Sequence, residues 1–183
     1  MNELTTALRR VVEALDAVHA DYVVVGSTAA AAWGVVRATR DVVAVVAPGA
    51  AEDLVRALER EELYVPVDEA RSAIRDGGVI NVLHPSTGGK VDVFVRSDAF
   101  THERIARRVA TEVLGVPTWI ATAEDVVLAK LRWRLDTRSE VQWRDCVEIA
   151  ATQRLDRDYL RAWADRLGVA DDVADLLDAI PPT

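Results

Sequence analysis

Tyr22-Val23-Val24-Val25-Gly26-Ser27 is the stretch on which the reading of this chain turns. Four consecutive apolar or β-forming residues describe a short buried strand, and Gly26 ends it. Ser27 then caps a helix of small residues from Thr28 through Trp33, which Gly34 closes. A glycine at a strand-to-helix junction lets a phosphate approach the backbone, and the helix start presents unpaired N–H groups. An ordinary turn with a capping serine is written with the same two letters, so the pair gains meaning only from what lies around it.

Upstream, residues 3–18 place Leu4, Leu8, Val11, Val12 and Leu15 on one face and predict an amphipathic helix. Downstream, Asp41 to Val46 reads as a second apolar strand stopped by Pro48-Gly49, and a helix is expected from Ala51 to Glu61. A shorter helix follows Pro66. Strand Val79–Leu83, the turn Pro85-Ser86-Thr87-Gly88-Gly89 and strand Lys90–Val95 describe a hairpin with a loop. From Phe100 through Val109 the pattern is helical, and Val113–Ile120 reads as one short strand or extended crossing segment. Thr122 with Asp125 forms a capping box that opens a helix to about Leu135. Three further helices are expected over 139–152, 156–167 and 170–179, with Gly168 as a C-cap. The expected architecture is α/β: a core over residues 1–118 with a helical subdomain over 119–183 packed on it.

Composition narrows the classes. The chain has 183 residues, half of them hydrophobic, enough for one compact domain with a real core. Charged residues interrupt each helix-like segment, so no membrane span is expected. Met1-Asn2-Glu3-Leu4 is no basic leader before an apolar stretch, and with Cys146 as the single cysteine a cytoplasmic protein is expected. A net charge of −8 argues against a generally basic, nucleic-acid-binding surface. Arg104, Arg107 and Arg108, and then Arg132, Arg134, Arg138 and Arg144, form local exceptions. They are read as solvated helix faces balanced by Glu103, Glu112 and Glu140, with a groove for a polyanion as the alternative.

Two carboxylates accompany Gly26-Ser27. Asp41 opens the second strand, and Asp92 interrupts the apolar run Val91-Asp92-Val93-Phe94-Val95. Burying a carboxylate between hydrophobic neighbours is costly unless it is paired or binds a metal. Strand alternation would turn Asp92 toward a cleft while Val91 and Val93 fill the core. A solvent-facing aspartate paired with Lys90 or Arg96 is the plainer alternative.

Val25-Gly26-Ser27-Thr28, Arg37-Ala38-Thr39-Arg40-Asp41 and Lys90-Val91-Asp92-Val93-Phe94-Val95 together resemble the nucleotidyltransferase superfamily with a polymerase-β-like core. The segments Glu124 to Leu131, Gln142-Trp143-Arg144-Asp145 and Leu155 to Leu160 are similar to its minimal, AbiEii- and toxin-like members. The resemblance runs from Tyr22 almost to the C-terminus. It implies a mixed-sheet core flanked by helices, with a C-terminal helical subdomain. It also implies transfer of a nucleoside monophosphate from a nucleoside triphosphate to an acceptor hydroxyl on a tRNA or a protein, with an antitoxin as a further partner. Mg²⁺, two ions in a competent form, would be held by acidic side chains, because hard cations take carboxylate oxygens. By that resemblance Asp41 and Asp92 are the catalytic and metal-binding acids, and Gly26, Ser27, Arg37, Arg40 and Lys130 contact the nucleotide. For Lys130 the residues alone also allow a side chain that snorkels to solvent, and Asp145 is a candidate to hold it.

The sequence departs from the motif at one place. An Asp-x-Asp pair is expected at the second strand, but the order is Asp41-Val42-Val43, and the next carboxylate is Glu52. Val43 stands where the second metal-binding acid belongs. Outer-shell partners of a metal are worth about 10–100-fold, so loss of a direct ligand is expected to weaken metal binding and transfer at least that much. Two origins fit, a degenerate member or an aspartate-to-valine change in a competent enzyme. The alternative function is a catalytically dead domain that binds a nucleotide or a partner, and a purely structural α/β domain is a third reading. Trp133, Trp143 and Trp163 are expected to weld the helical half, and Cys146 to sit in the core.

Overall fold

The computed structural model describes residues 3–36, 42–60 and 63–179. The architecture is α/β, with nine helices among the described residues and one mixed six-stranded sheet. The chain divides into two compact units, Met1–Thr28 with Ala38–Ala121, and Ala29–Arg37 with Thr122–Thr183.

The first unit holds the sheet. Helix α1 (Glu3–Ala17) precedes strand β1 (Tyr22–Val25), from which helix α2 (Gly26–Ala32) starts and crosses into the second unit at Ala29. Then come β2 (Val42–Val46), α3 (Pro48–Arg60), α4 (Val67–Asp76), β3 (Val79–Leu83), β4 (Lys90–Val95), α5 (Ala99–Ala106), β5 (Val109–Val113) and β6 (Val116–Ile120). The strand order is β3-β4-β2-β1-β6-β5. β2 pairs with β4, and β1 with β6, in parallel, whereas β1–β2, β3–β4 and β5–β6 are antiparallel.

Register and alternation separate the sheet's two faces. On one face Val24, Val42, Ala44, Val46, Ile80, Val82, Val91, Val93 and Val95 are all 1% exposed or less. The helices bury that face: α1 packs on β4, β6 and α3, and α4 packs on β3 and α3. Leu8 and Leu15 of α1 and Leu54 and Leu58 of α3 are the large side chains of this core. On the other face Val43 and Asp92 are half-buried and Asn81 is exposed. That face is also covered over Val23, Val25 and Val45, each 8% exposed or less, so solvent reaches it locally, around Val43, Asp92 and Asn81.

Four details differ from the sequence expectation. α3 begins at Pro48 rather than Ala51, because proline's fixed φ and missing N–H suit a helix's first turn. α2 begins at Gly26, so Ser27 lies in the first turn, and Gly26 takes the left-handed φ of +69°. α5 stops at Ala106, started by Asp98, whose carboxylate accepts the Thr101 N–H at 3.1 Å. The segment expected as one strand over Val113–Ile120 is half of a hairpin. Its two-residue turn is Leu114-Gly115 with φ of +52° and +73°, and β5 reaches back to Val109.

The second unit is helical. It comprises α6 (Ala123–Thr137), α7 (Glu140–Thr152), α8 (Arg157–Leu167) and α9 (Ala170–Ala179), together with the segment from Ala29. Thr122 caps α6 by accepting the Asp125 N–H, and Asp156 caps α8 by accepting from Asp158 and Tyr159. Gly168 ends α8 in the left-handed conformation. Leu128, Leu131, Cys146, Ile149, Leu160 and Leu176 are fully buried among these helices. Trp163 joins this core, but Trp133 is 60% exposed and does not weld it. The backbone of Trp33 is tied in by Thr152, whose hydroxyl donates to the Trp33 carbonyl at 3.0 Å.

The arginines are not all solvated faces. Arg104 is buried over the Phe100 ring and donates to Thr101 Oγ1 at 3.0 Å. Arg108 bonds Asp21 at 3.2 Å and covers Trp119, and Arg134 pairs with Asp172 and stacks on Trp143. Arg132, Arg138 and Arg144 are exposed as expected. Guanidinium groups stack and bond at once, so a charge run on paper became part of the packing.

Candidate functional site

β1, β2, β4 and β3 lay a continuous row across this second face of the sheet. Val25 is the register partner of Val43, Val43 of Asp92, and Asp92 of Asn81. Gly26 continues the row at the end of β1. A Cβ built on Gly26 would stand 3.7 Å from Val43 Cβ and Cγ2, an ordinary van der Waals separation. Space therefore tolerates a side chain at Gly26, whereas its φ of +69° favours glycine. The structure thus brings Gly26, Val43 and Asp92 together, with Ser27 following Gly26 in the first turn of α2. Asn81 was not anticipated, because only the β3–β4 register places it beside Asp92.

Asp92 has a particular environment. Its side chain is 14% exposed, and Oδ2 receives the Lys90 ammonium at 2.9 Å. Lys90 and Asp92 are two apart on one strand and so share a face. Asp92 Oδ1 is closed from solvent and has no hydrogen-bond partner among the described residues. Leaving such an acceptor unsatisfied costs about 1–3 kcal/mol, and more for a charged group.

Arg37, Arg40 and Asp41 lie outside the described residues. Lys130 belongs to the helical unit. Its side chain is 5% exposed, and its amino group donates to Asp145 Oδ2 at 2.7 Å and to Gln142 Oε1 at 3.1 Å. It does not snorkel to solvent. Below it, Asp125 accepts the Tyr159 hydroxyl at 2.6 Å and the Thr122 hydroxyl at 3.0 Å. Burial, offset in part by the Lys130 charge, pushes the Cys146 thiol from 9.0 up to about 12, so the residue behaves as a core hydrophobe. Two surface depressions, of about 250 and 540 Å³, are lined respectively by residues such as Asp53 and Arg56 and by Asp21, His102, Arg108 and Trp119. Neither contains a residue of the Gly26–Val43–Asp92 row.

The described residues of this row fit a divalent ion poorly. The orphaned Oδ1 of Asp92 is the kind of oxygen a cation satisfies, but it is closed off, and Oδ2 already faces an ammonium. Val43 contributes only methyl groups beside that carboxylate, whereas Mg²⁺ demands near-octahedral oxygen coordination. Among the described residues no three His, Cys, Asp or Glu side chains converge as a metal-binding group.

The mixed six-stranded sheet with its flanking helices matches the fold of nucleotidyltransferase-like proteins of known structure. The chain is similar to an antigenic nucleotidyltransferase-like protein from Paracoccidioides brasiliensis, with TM-score 0.62 and 15% identity over 99% of this chain and 94% of that one. It is also similar to the antibiotic-resistance factor ANT(2'')-Ia in solution, with TM-score 0.55 and 16% identity over 96% and 89% of the two chains. The crystal structure of ANT(2'')-Ia in complex with adenylyl-2''-tobramycin gives TM-score 0.57 and 14% identity over 95% and 97%. At these identities the likeness is one of fold. No protein-family model matches the sequence, and neither does any curated protein sequence. No helix among the described residues is long and apolar enough to cross a membrane.

Proposed function

We propose that this chain is a nucleotidyltransferase-fold protein that binds a nucleoside triphosphate, and that its transfer of a nucleoside monophosphate to an acceptor hydroxyl is impaired by valine at position 43. One observation carries the reading. Val43 is at once the β-partner of Asp92 and the neighbour of Gly26, which supports reading it as the position that the resemblance assigns to a second acid. Gly26 and Ser27 are the proposed phosphate contacts, joined by Arg37 and Arg40, and Asp92 is the carboxylate toward which the acceptor hydroxyl would be oriented. Asp41 is the remaining proposed acid. Lys130 enters by resemblance alone, and its ion pair with Asp145 is a sufficient physical account of it.

The resemblance supplies a tRNA or a protein as acceptor, a toxin-like role and an antitoxin partner. One structural neighbour was captured with an adenylylated aminoglycoside, which adds a small polyhydroxylated acceptor to the classes worth testing. Val43→Asp, incubated with each labelled triphosphate, Mg²⁺, cellular RNA and protein, is expected to raise label transfer at least about tenfold over the parent chain. Absence of labelled product with all four nucleotides would overturn the transferase reading. A nucleotide- or partner-binding module without transfer is the second reading, favoured by the closed environment of Asp92. Calorimetry separates the two halves of that alternative, because a partner-binding module takes up no triphosphate.

A further inference from the structure

We propose that Lys90 serves as the resident cation of this site, so that the chain binds a nucleoside triphosphate without a divalent metal. The inference rests on the nucleotide-binding reading above and deepens it. A polyphosphate brought to the accessible part of this face, around Val43 and Asn81, meets the Asp92 carboxylate, and two anions in a partly buried setting repel strongly. A site with a full set of acids relies on divalent ions to cancel that repulsion. Here the row has lost an acid at Val43, and the charge that remains on Asp92 is already met by an ammonium at 2.9 Å.

Several features make Lys90 suited to the task. It is the first residue of β4, and β2 runs parallel to β4, so Lys90 lies at the end of the sheet where β2 begins. β1 is antiparallel to β2, with Val25 opposite Val43, so Gly26 lies at that same end. Lys90 shares a face with Val43 and Asp92 and is 40% exposed, enough to reach a ligand while still touching the carboxylate. An ammonium has three donors. One satisfies Asp92 Oδ2, and the others are free to meet phosphate oxygens. The charge balance also explains why valine is tolerable at position 43: with one acid fewer, a single positive charge replaces what would otherwise need a metal.

The test is isothermal calorimetry on the full chain. ATP, GTP, CTP, UTP and inorganic tripolyphosphate are titrated separately in EDTA and in Mg²⁺. At least one nucleotide is expected to bind in EDTA, with Kd changing by less than about threefold when Mg²⁺ is added. Lys90→Met is expected to weaken that binding by roughly ten- to hundredfold, the worth of one charge-assisted hydrogen bond. Lys90→Arg should keep most of it. Lys90→Met combined with Asp92→Asn should regain part, because the phosphate then no longer faces an uncompensated carboxylate; a merely structural lysine would show no such recovery. Circular dichroism and Tm establish that each variant is folded. Binding that appears only with Mg²⁺, or a folded Lys90→Met that binds like the parent, overturns the inference and leaves the nucleotide-binding reading intact. No binding of any probe in either condition overturns both.

Discussion

Replacing Asp145 by leucine strands the Lys130 ammonium inside the helical unit, and the structure sets the scale of the damage. The two side chains are 5% and 2% exposed and 2.7 Å apart, so neither can turn to water without opening the contact between α6 and α7. Breaking a buried pair from one side costs about 3–5 kcal/mol, most of it the charge left without its counterion. Gln142 still accepts one Lys130 hydrogen bond, which softens but does not replace the lost charge. A loss of that size lowers Tm by roughly 6–20 °C in a chain of this length. Lys130→Met with Asp145→Leu removes both charges and fills the space with apolar atoms, and is expected to be more stable than either single variant. Urea unfolding followed by tryptophan fluorescence reads this out, since Trp33, Trp133, Trp143 and Trp163 all belong to the helical unit. A double-mutant cycle yielding a coupling below about 0.5 kcal/mol would refute the account of Lys130 as a buried structural cation.

Two other outcomes follow from the packing. The Cys146 thiol, pushed from 9.0 to about 12 by burial, should resist thiol reagents at pH 8 in the native protein and react once urea unfolds it. Since the unfolded thiol ionises first, the folded state binds the extra proton between those values, so this group's contribution to stability is whole below about pH 9 and declines toward pH 12. A pH series of urea midpoints in Cys146→Ala, compared with the parent, isolates that term; parallel curves through the alkaline range would contradict it. Leu114→Asn should stabilise the β5–β6 hairpin by about 0.5–1 kcal/mol, because asparagine tolerates the positive φ that leucine adopts there under strain. An unchanged or lower urea midpoint would count against it.

Local chemistry explains what the sequence made legible. The β1 strand, the Thr122 capping box and the Gly168 C-cap are each written in consecutive residues, and the structure has them where those residues stand. The β5–β6 hairpin is not legible in the sequence because Leu114-Gly115 lacks the Asn-Gly or Asp-Gly signature of a two-residue turn, and Val109 reads there as the end of a helix. Arg104 and Arg134 looked like surface charge because no linear pattern announces a ring beneath a guanidinium. For the site, Gly26, Val43 and Asp92 could be named from type and order, but their adjacency depends on a parallel register between strands some fifty residues apart. Lys90 could be matched to Asp92 from spacing alone, whereas Asn81 required the hairpin register.

The central position of β1 has a consequence in time. Residues 22–25 are made before either partner: one flank of that strand waits for β2 and the other for β6, which ends at Ile120. Until ribosomal synthesis has passed that point, β1 has an unpaired edge composed of Val23, Val24 and Val25, a run apt to seek another nascent chain. Slow translation before residue 120, or truncation just short of it, should therefore send this protein toward aggregates and chaperones, because the β6 side of β1 can be covered only after that point.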